Sequence, residues 1–139
     1  MVDMDAKISE LIQKARNASE QAYAPYSKFR VGAALLTTTG KIYTGCNVEF
    51  ADYLALHAEV NAIGSAVNDG ENDIRIIVIF SYSSPPVLPC GSCRQKLTEF
   101  SKLHNHDILV IVVNDQDERN KYLLSSLLPS SDIPVVIED

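Results

Sequence analysis

The chain has 139 residues, 46% of them hydrophobic and 22% charged, and a net charge of −6 at pH 7 with histidines neutral; this is the composition of an ordinary globular domain, not of a disordered or membrane-embedded chain. That length suits one domain over residues 1–139, large enough to bury a core without staples. The acidic balance and the lack of any Lys/Arg run argue against a nucleic-acid partner, and no apolar run approaches the roughly 20 residues of a membrane-spanning helix. A small neutral or cationic ligand fits better, and Asp3 and Asp5, standing where a secretory signal carries bases, predict a cytoplasmic protein.

Residues 5–23 place Ile8, Leu11, Ile12, Ala15, Ala18 and Ala22 at helical spacing, and Pro25, which disfavours helix at the residue before it, predicts the stop. Two short apolar runs, residues 31–36 and 42–48, flank Thr37-Thr38-Thr39-Gly40-Lys41 and read as a β-hairpin at one edge of a sheet. Leu56, Val60, Ile63 and Val67 then recur at helical spacing over residues 55–67, with Asn68-Asp69-Gly70 as the stop. Residues 74–80 are almost wholly apolar, as a strand covered on both faces should be. After a Ser/Pro-rich loop the pattern predicts a helix over residues 91–103 with Leu97 and Phe100 inward. A buried strand over 108–113, a short helix over 122–128 and an extended piece over 133–137 complete the chain. Strands alternating with helices favour an α/β sheet whose last strands are parallel, and ligands in such sheets gather where strands feed helix N-termini.

Two short motifs fall at such places: His57-Ala58-Glu59 and Pro89-Cys90-Gly91-Ser92-Cys93. Alone, a Cys-x-x-Cys can be a redox pair or half of a structural zinc site, and a His-x-Glu means little. Together, one imidazole and two thiols make three ligands for Zn²⁺ and leave a fourth tetrahedral position for water. Zinc bound there brings the pKa of such a water towards ~7. Glu59, two residues past His57, is too near to be a convenient fourth ligand but can act on the water as base and then acid. The third cysteine, Cys46, reads as a small buried hydrophobe on a strand.

The spacing H-x-E…P-C-x-x-C is the signature of the zinc nucleobase deaminases. The chain resembles the free-nucleoside cytidine deaminases over nearly its whole length, with support from Tyr23-Ala24-Pro25-Tyr26-Ser27-Lys28-Phe29, Val31-Gly32-Ala33-Ala34-Leu35, Thr44-Gly45-Cys46-Asn47-Val48-Glu49 and Arg94-Gln95. The resemblance implies a three-layer α/β/α fold with a mixed five-stranded sheet and one Zn²⁺ per chain held by His57, Cys90 and Cys93. It implies hydrolytic deamination of cytidine or 2′-deoxycytidine, as in pyrimidine salvage, with Glu59 as the proton shuttle. Asn47 and Glu49 would bind the ribose, Phe29 would pack on the base, Tyr53 would lie near the nucleoside and the Ala58 N–H would orient the pyrimidine. Small members of the family are homotetramers whose sites borrow residues from neighbours. A deaminase of a modified or bulky cytosine nucleoside, blasticidin-S-type or 5-substituted, is the alternative.

The sequence departs from the family pattern at His57 and Val60, where small members commonly have Cys and Arg; the two changes agree, because one imidazole and two thiolates leave no excess negative charge for an Arg to offset. Phe50 replaces a usual Asn, Asp52 a small residue, and Asp132 the aromatic of a C-terminal Leu-Leu-Pro-x-x-Phe. Either Phe50 refills that lost aromatic volume or the site accepts a larger or modified pyrimidine.

Overall fold

Asp3 starts the first helix: its carboxylate accepts from the backbone N–H groups of Asp5 and Ala6, which the first turn leaves without partners. This helix, α1 (Met4–Ser19), buries Ile8, Leu11 and Ala15 at the predicted spacing. It stops four residues short of the expected end, in a computed structural model that describes residues 3–129. The cause is tertiary: the Tyr23 N–H donates to the Asn47 carbonyl, and Tyr23 forms a bridge with Val48, so the chain has left the helix before Pro25 can act.

The expected hairpin is present as β1 (Val31–Thr37) and β2 (Ile42–Cys46), antiparallel, with Ala33 opposite Gly45. Then follow α2 (Ala58–Asn68), β3 (Ile74–Ser81), α3 (Gly91–His104), β4 (Leu109–Val113), β5 (Arg119–Leu123) and the single turn α4 (Leu124–Leu127). The five strands form one sheet in the order β2-β1-β3-β4-β5. Strand β3 is antiparallel to β1 and parallel to β4, while β5 is antiparallel to β4. The expectation of parallel last strands therefore holds for β3 and β4 alone. Residues 119–123, expected as loop and helix start, are an edge strand with Tyr122 paired to Val110. The extended piece expected over residues 133–137, and Asp132, lie outside the described residues.

Alternation along β1 sends Ala34 and Leu36 to one face and Ala33 and Leu35 to the other. On the first face they meet Ile8, Leu11 and Ala15 of α1; on the second they join Ala58 and Ala62 of α2, Leu97 of α3 and Leu124 of α4. The result is the three-layer α/β/α arrangement with a mixed five-stranded sheet. Among the described residues no helix is long and apolar enough to cross a membrane.

Helix α2 turns a different face inward from the one its large residues suggest. Ala58, Ala62, Ile63 and Ala66 are buried, whereas Leu56 and Val67 are exposed. The reason lies on β2: a Cβ built on Gly45 would stand 2.4 Å from the Ala62 nitrogen and 2.5 Å from the Ala58 oxygen. Only glycine opposite an alanine stripe lets helix and strand come this close. Strands β2 and β3, each antiparallel to β1, run the same way, so α2 and α3 both begin beyond one end of the sheet.

Gly45→Ala must push α2 outward against backbone atoms, which overpacking data place at about 1–3 kcal/mol of lost stability. Urea unfolding should show that loss, and metal analysis of the purified variant should show weaker zinc retention than in the parent chain.

Candidate metal centre and its cavity

His57 is the N-cap residue of α2 and Cys90 that of α3, both with extended backbone, and Cys93 sits one turn into α3. Because the two helices start at the same end of the sheet, the three side chains meet. The His57 Nδ1 lies 3.3 Å from the Cys93 Sγ and 3.4 Å from the Cys90 Sγ, and all three donor atoms fall within 4.8 Å of one another. A tetrahedral ion with zinc–sulfur and zinc–nitrogen bonds of about 2.3 and 2.0–2.1 Å sets N···S edges of roughly 3.5 Å, so the donors already stand near the required spacing. The Cys93 N–H, 3.4 Å from the Cys90 Sγ, ties the Cys90 sulfur to the first turn of α3.

The electrostatics point to the same occupant. Cys93 is fully buried, and burial pushes its thiol far above the usual range; the charge of the adjacent Glu59 carboxylate pushes it further, followed by Cys90. Glu59 is itself buried, at 5% exposure. A buried carboxylate beside a buried thiol that resists ionisation is the environment that a divalent cation reverses, since a coordinated thiol is deprotonated outright. The residues present therefore fit Zn²⁺: His57, Cys90 and Cys93 could hold it, with Glu59 next to them.

Beside the cluster opens a cavity of about 330 Å³, within the size range of small-molecule sites. His57, Glu59 and Cys90 line it together with Phe29, Asn47, Glu49 and Ala58, so most of the residues singled out from sequence share one wall system. Tyr53 does not. It is 92% exposed with φ +66° and lies in a neighbouring groove with Tyr26 and Phe50. Phe50 thus fills no volume in the main cavity, and the Asp52 carboxylate accepts from the Leu54 N–H as a local turn. Cys46, at the end of β2, is only half-buried.

Six lining residues went unrecognised: Ser27, Val31, Ala55, Ile79, Val87 and Leu88. Val87 and Leu88 carried a usable signal, an apolar pair inside a Ser/Pro-rich loop directly before a metal ligand. Arg94, three past Gly91, also acts locally: its Nε donates to the Pro89 carbonyl at 2.7 Å and its Nη1 to the Leu127 carbonyl at 2.9 Å, fixing the chain just ahead of Cys90.

Asn47 and Glu49 are wired into the backbone opposite. The Asn47 Nδ2 donates to the Phe29 carbonyl at 2.8 Å, and its Oδ1 accepts from the Val31 N–H at 2.9 Å. The Glu49 Oε1 accepts from the Tyr26 and Ser27 N–H groups, both at 3.0 Å. Hydrogen bonding by the Ser27 side chain, then its backbone, holds the Glu49 carboxyl below the usual carboxylate range. It stays ionised at neutral pH beside the cavity.

Comparison with known proteins agrees with this geometry. The family described as the cytidine and deoxycytidylate deaminase zinc-binding region matches residues 5–109. A cytidine deaminase of Sporosarcina psychrophila is 39% identical over 125 residues, covering 89% of this chain and 90% of that protein. The crystal structure of a cytidine deaminase from Burkholderia pseudomallei superposes with a TM-score of 0.83 at 39% identity, covering 89% of this chain and 98% of that one. One from Mycobacterium tuberculosis gives a TM-score of 0.74 at 32% identity, covering 94% and 98%. With the donor cluster, the buried glutamate and the sheet topology all in place, the chain belongs to the zinc-binding cytidine and deoxycytidylate deaminase family.

Proposed function

We propose that this protein hydrolyses cytidine and 2′-deoxycytidine to the corresponding uracil nucleosides with release of ammonia. The observation that carries the reading is the buried Glu59 carboxylate, placed beside a three-donor metal cluster and lining a cavity of small-molecule size. Bound at that cluster, one Zn²⁺ per chain supplies the Lewis acidity that makes water nucleophilic at neutral pH. The protein's part is binding, orientation and proton transfer. Glu59 takes a proton from the attacking water, passes it to the ring nitrogen beside the reacting carbon, and serves again as the amine leaves. Phe29 and the Val87-Leu88 pair give the pyrimidine an apolar slot, and the Ala58 N–H, at the start of α2, orients it. Asn47, with one donor and one acceptor site remaining, and the ionised Glu49 receive the ribose hydroxyls.

Cytidine itself is favoured over a bulky or modified cytosine nucleoside. The relatives named above are cytidine deaminases, and Phe50, the main departure from the family pattern near the site, lies outside the cavity and does not reshape it. The step suits pyrimidine salvage in a reducing compartment such as the cytoplasm, where Cys90 and Cys93 persist as thiols available to zinc.

We further place the working enzyme as a homotetramer. Two features support assembly: an open groove of about 480 Å³ between α2 and α3, lined by Val60, Ile63 and Phe100 together with Gln95, Lys96 and Glu99, and Tyr53, exposed and outside its own cavity. An aromatic that fails to reach its own site can serve a neighbour's.

Glu59→Gln is the direct test of the shuttle. The variant should keep about one zinc per chain and its thermal stability while kcat falls by 10²-fold or more, the scale of general acid–base catalysis; activity within a few-fold of the parent would falsify the shuttle.

Substrate choice follows from ultraviolet absorbance with cytidine, 2′-deoxycytidine, free cytosine, 5-substituted cytidines and a bulky cytosine nucleoside. The first two should turn over fastest. Loss of amine from none of them would remove the deaminase reading.

Light scattering on the purified chain should give four subunits. A monomer with full activity would sink the proposal that neighbours complete the site.

A further inference from the structure

The wall formed by Val87 and Leu88 belongs to the loop between β3 and α3, and among the described residues no hydrogen bond to protein engages Pro86, Val87 or Leu88. Their position is therefore inherited from the two ends of the loop and from packing. The metal end is held by α3 itself, through Arg94 on the Pro89 carbonyl and the Cys93 N–H on the Cys90 sulfur. The other end is held by a separate device, far from the cluster along the chain.

Asn114, just past β4, is 4% exposed and uses every hydrogen-bonding position of its amide. Its Oδ1 accepts from the Gln116 and Glu118 N–H groups at 3.0 and 3.1 Å, which shapes the turn into β5. Its Nδ2 donates to the Ser83 carbonyl at 3.0 Å and to the Glu118 Oε1 at 2.9 Å. The same Glu118 oxygen accepts from the Ser84 hydroxyl at 2.5 Å. Hydrogen bonding from Ser84, then from Asn114, holds the Glu118 carboxyl below the usual range, so the acceptor stays ionised and both bonds are charge-assisted. Neither Asn114 nor Glu118 lines the cavity.

We propose that Asn114 and Glu118 are positioning residues for the substrate wall: through Ser83 and Ser84 they fix the start of the loop that presents Val87 and Leu88, independently of the Arg94 grip that fixes Cys90. The inference rests on the deaminase reading for its kinetic readout. Its consequence is a separation of roles within nine residues of chain. Loosening the Ser83–Ser84 end should weaken substrate binding while the metal site, gripped from α3, keeps its geometry.

Glu118 is the residue to change, because it sits on the surface turn and its removal does not empty the core. Glu118→Ala should raise KM for cytidine roughly tenfold, the scale of two lost charge-assisted bonds, with kcat within about twofold and zinc still at one per chain. Glu118→Gln, whose amide oxygen still accepts from Ser84 and Asn114, should stay within about twofold of the parent. Ser84→Ala removes one of the two bonds and should fall between. Calorimetric titration with uridine, the product, gives the same comparison without turnover. If the parent deaminates cytidine and Glu118→Ala leaves KM and uridine affinity unchanged, the positioning role is wrong. A loss of zinc and kcat at constant KM overturns it equally, since the clamp would then serve the ligand end. If the parent itself releases no ammonia, the functional reading fails first, and uridine titration still decides whether the wall moved.

Discussion

The structure depends on how closely α2 lies against β2. Helices usually pack on sheets through large aliphatic side chains, which leave the helix axis free to slide by fractions of an ångström. Here backbone meets backbone: Gly45 faces the Ala58 oxygen and the Ala62 nitrogen, and the helix contributes a stripe of Ala58, Ala62 and Ala66. There is little side chain between the two to deform. The consequence falls on the first turn of α2, where His57, Ala58 and Glu59 follow one another; a helix that cannot shift holds an imidazole and a carboxylate at fixed places. A metal centre needs such rigidity, because ligands half an ångström out of place lose much of their affinity. Gly32, against the Ala15 oxygen on the other face, repeats the arrangement for α1, so β1 and β2 are clasped between helices at glycine on both sides.

Charge explains the residues around the cluster. One imidazole and two thiolates carry a formal charge of −2, which Zn²⁺ cancels, so nothing near the cluster must supply a further cation. Val60, directly after Glu59, can then be apolar. It joins Ile63 and Phe100 in the open groove between α2 and α3. With His57, Cys90 and Cys93 holding the ion, the charge of the ligand set and the character of position 60 are coupled in this way: an imidazole in the set leaves no demand for an arginine there.

The donor cluster was legible in the sequence because His57, Cys90 and Cys93 sit in short contiguous motifs at helix starts, which the fold brings together. Buried strands were equally plain, since β3 and β4 are apolar on both faces. What escaped was set by long-range contacts. Strand β5, Arg119-Asn120-Lys121-Tyr122-Leu123, is a polar edge strand whose only inward-leaning side chain is Tyr122, so it offers no apolar run; its pairing with β4 makes it a strand. The inner face of α2 is not evident from its large residues, because Gly45 rewards small ones. The end of α1 yields to a bridge between Tyr23 and Val48, which no local signal announces. Ser27, Ala55 and Ile79 reach the cavity from three separate segments, and only the fold brings them together.

Asn47 and Glu49 show why assigning a residue to ligand or to scaffold is not a choice between exclusive roles. The segment from Tyr23 to Val31 contains no helix and no strand until its last residue, yet it forms one side of the cavity through Ser27 and Phe29. Its backbone is attached almost wholly to residues 47–49: Tyr23 to the Asn47 carbonyl and the Glu49 N–H, Tyr26 and Ser27 to the Glu49 carboxylate, and Phe29 and Val31 to the Asn47 amide. Each side chain spends part of its hydrogen-bonding capacity on this architecture and retains the remainder towards the cavity. A ligand that engages the free Oε2 of Glu49 or the second Nδ2 hydrogen of Asn47 therefore pulls on the same groups that seat Phe29. In the proposed reading, recognition at the sugar end and closure of the apolar wall at the base end are mechanically joined, so a substitution at Asn47 disturbs both together, whereas Glu118 acts on the opposite wall.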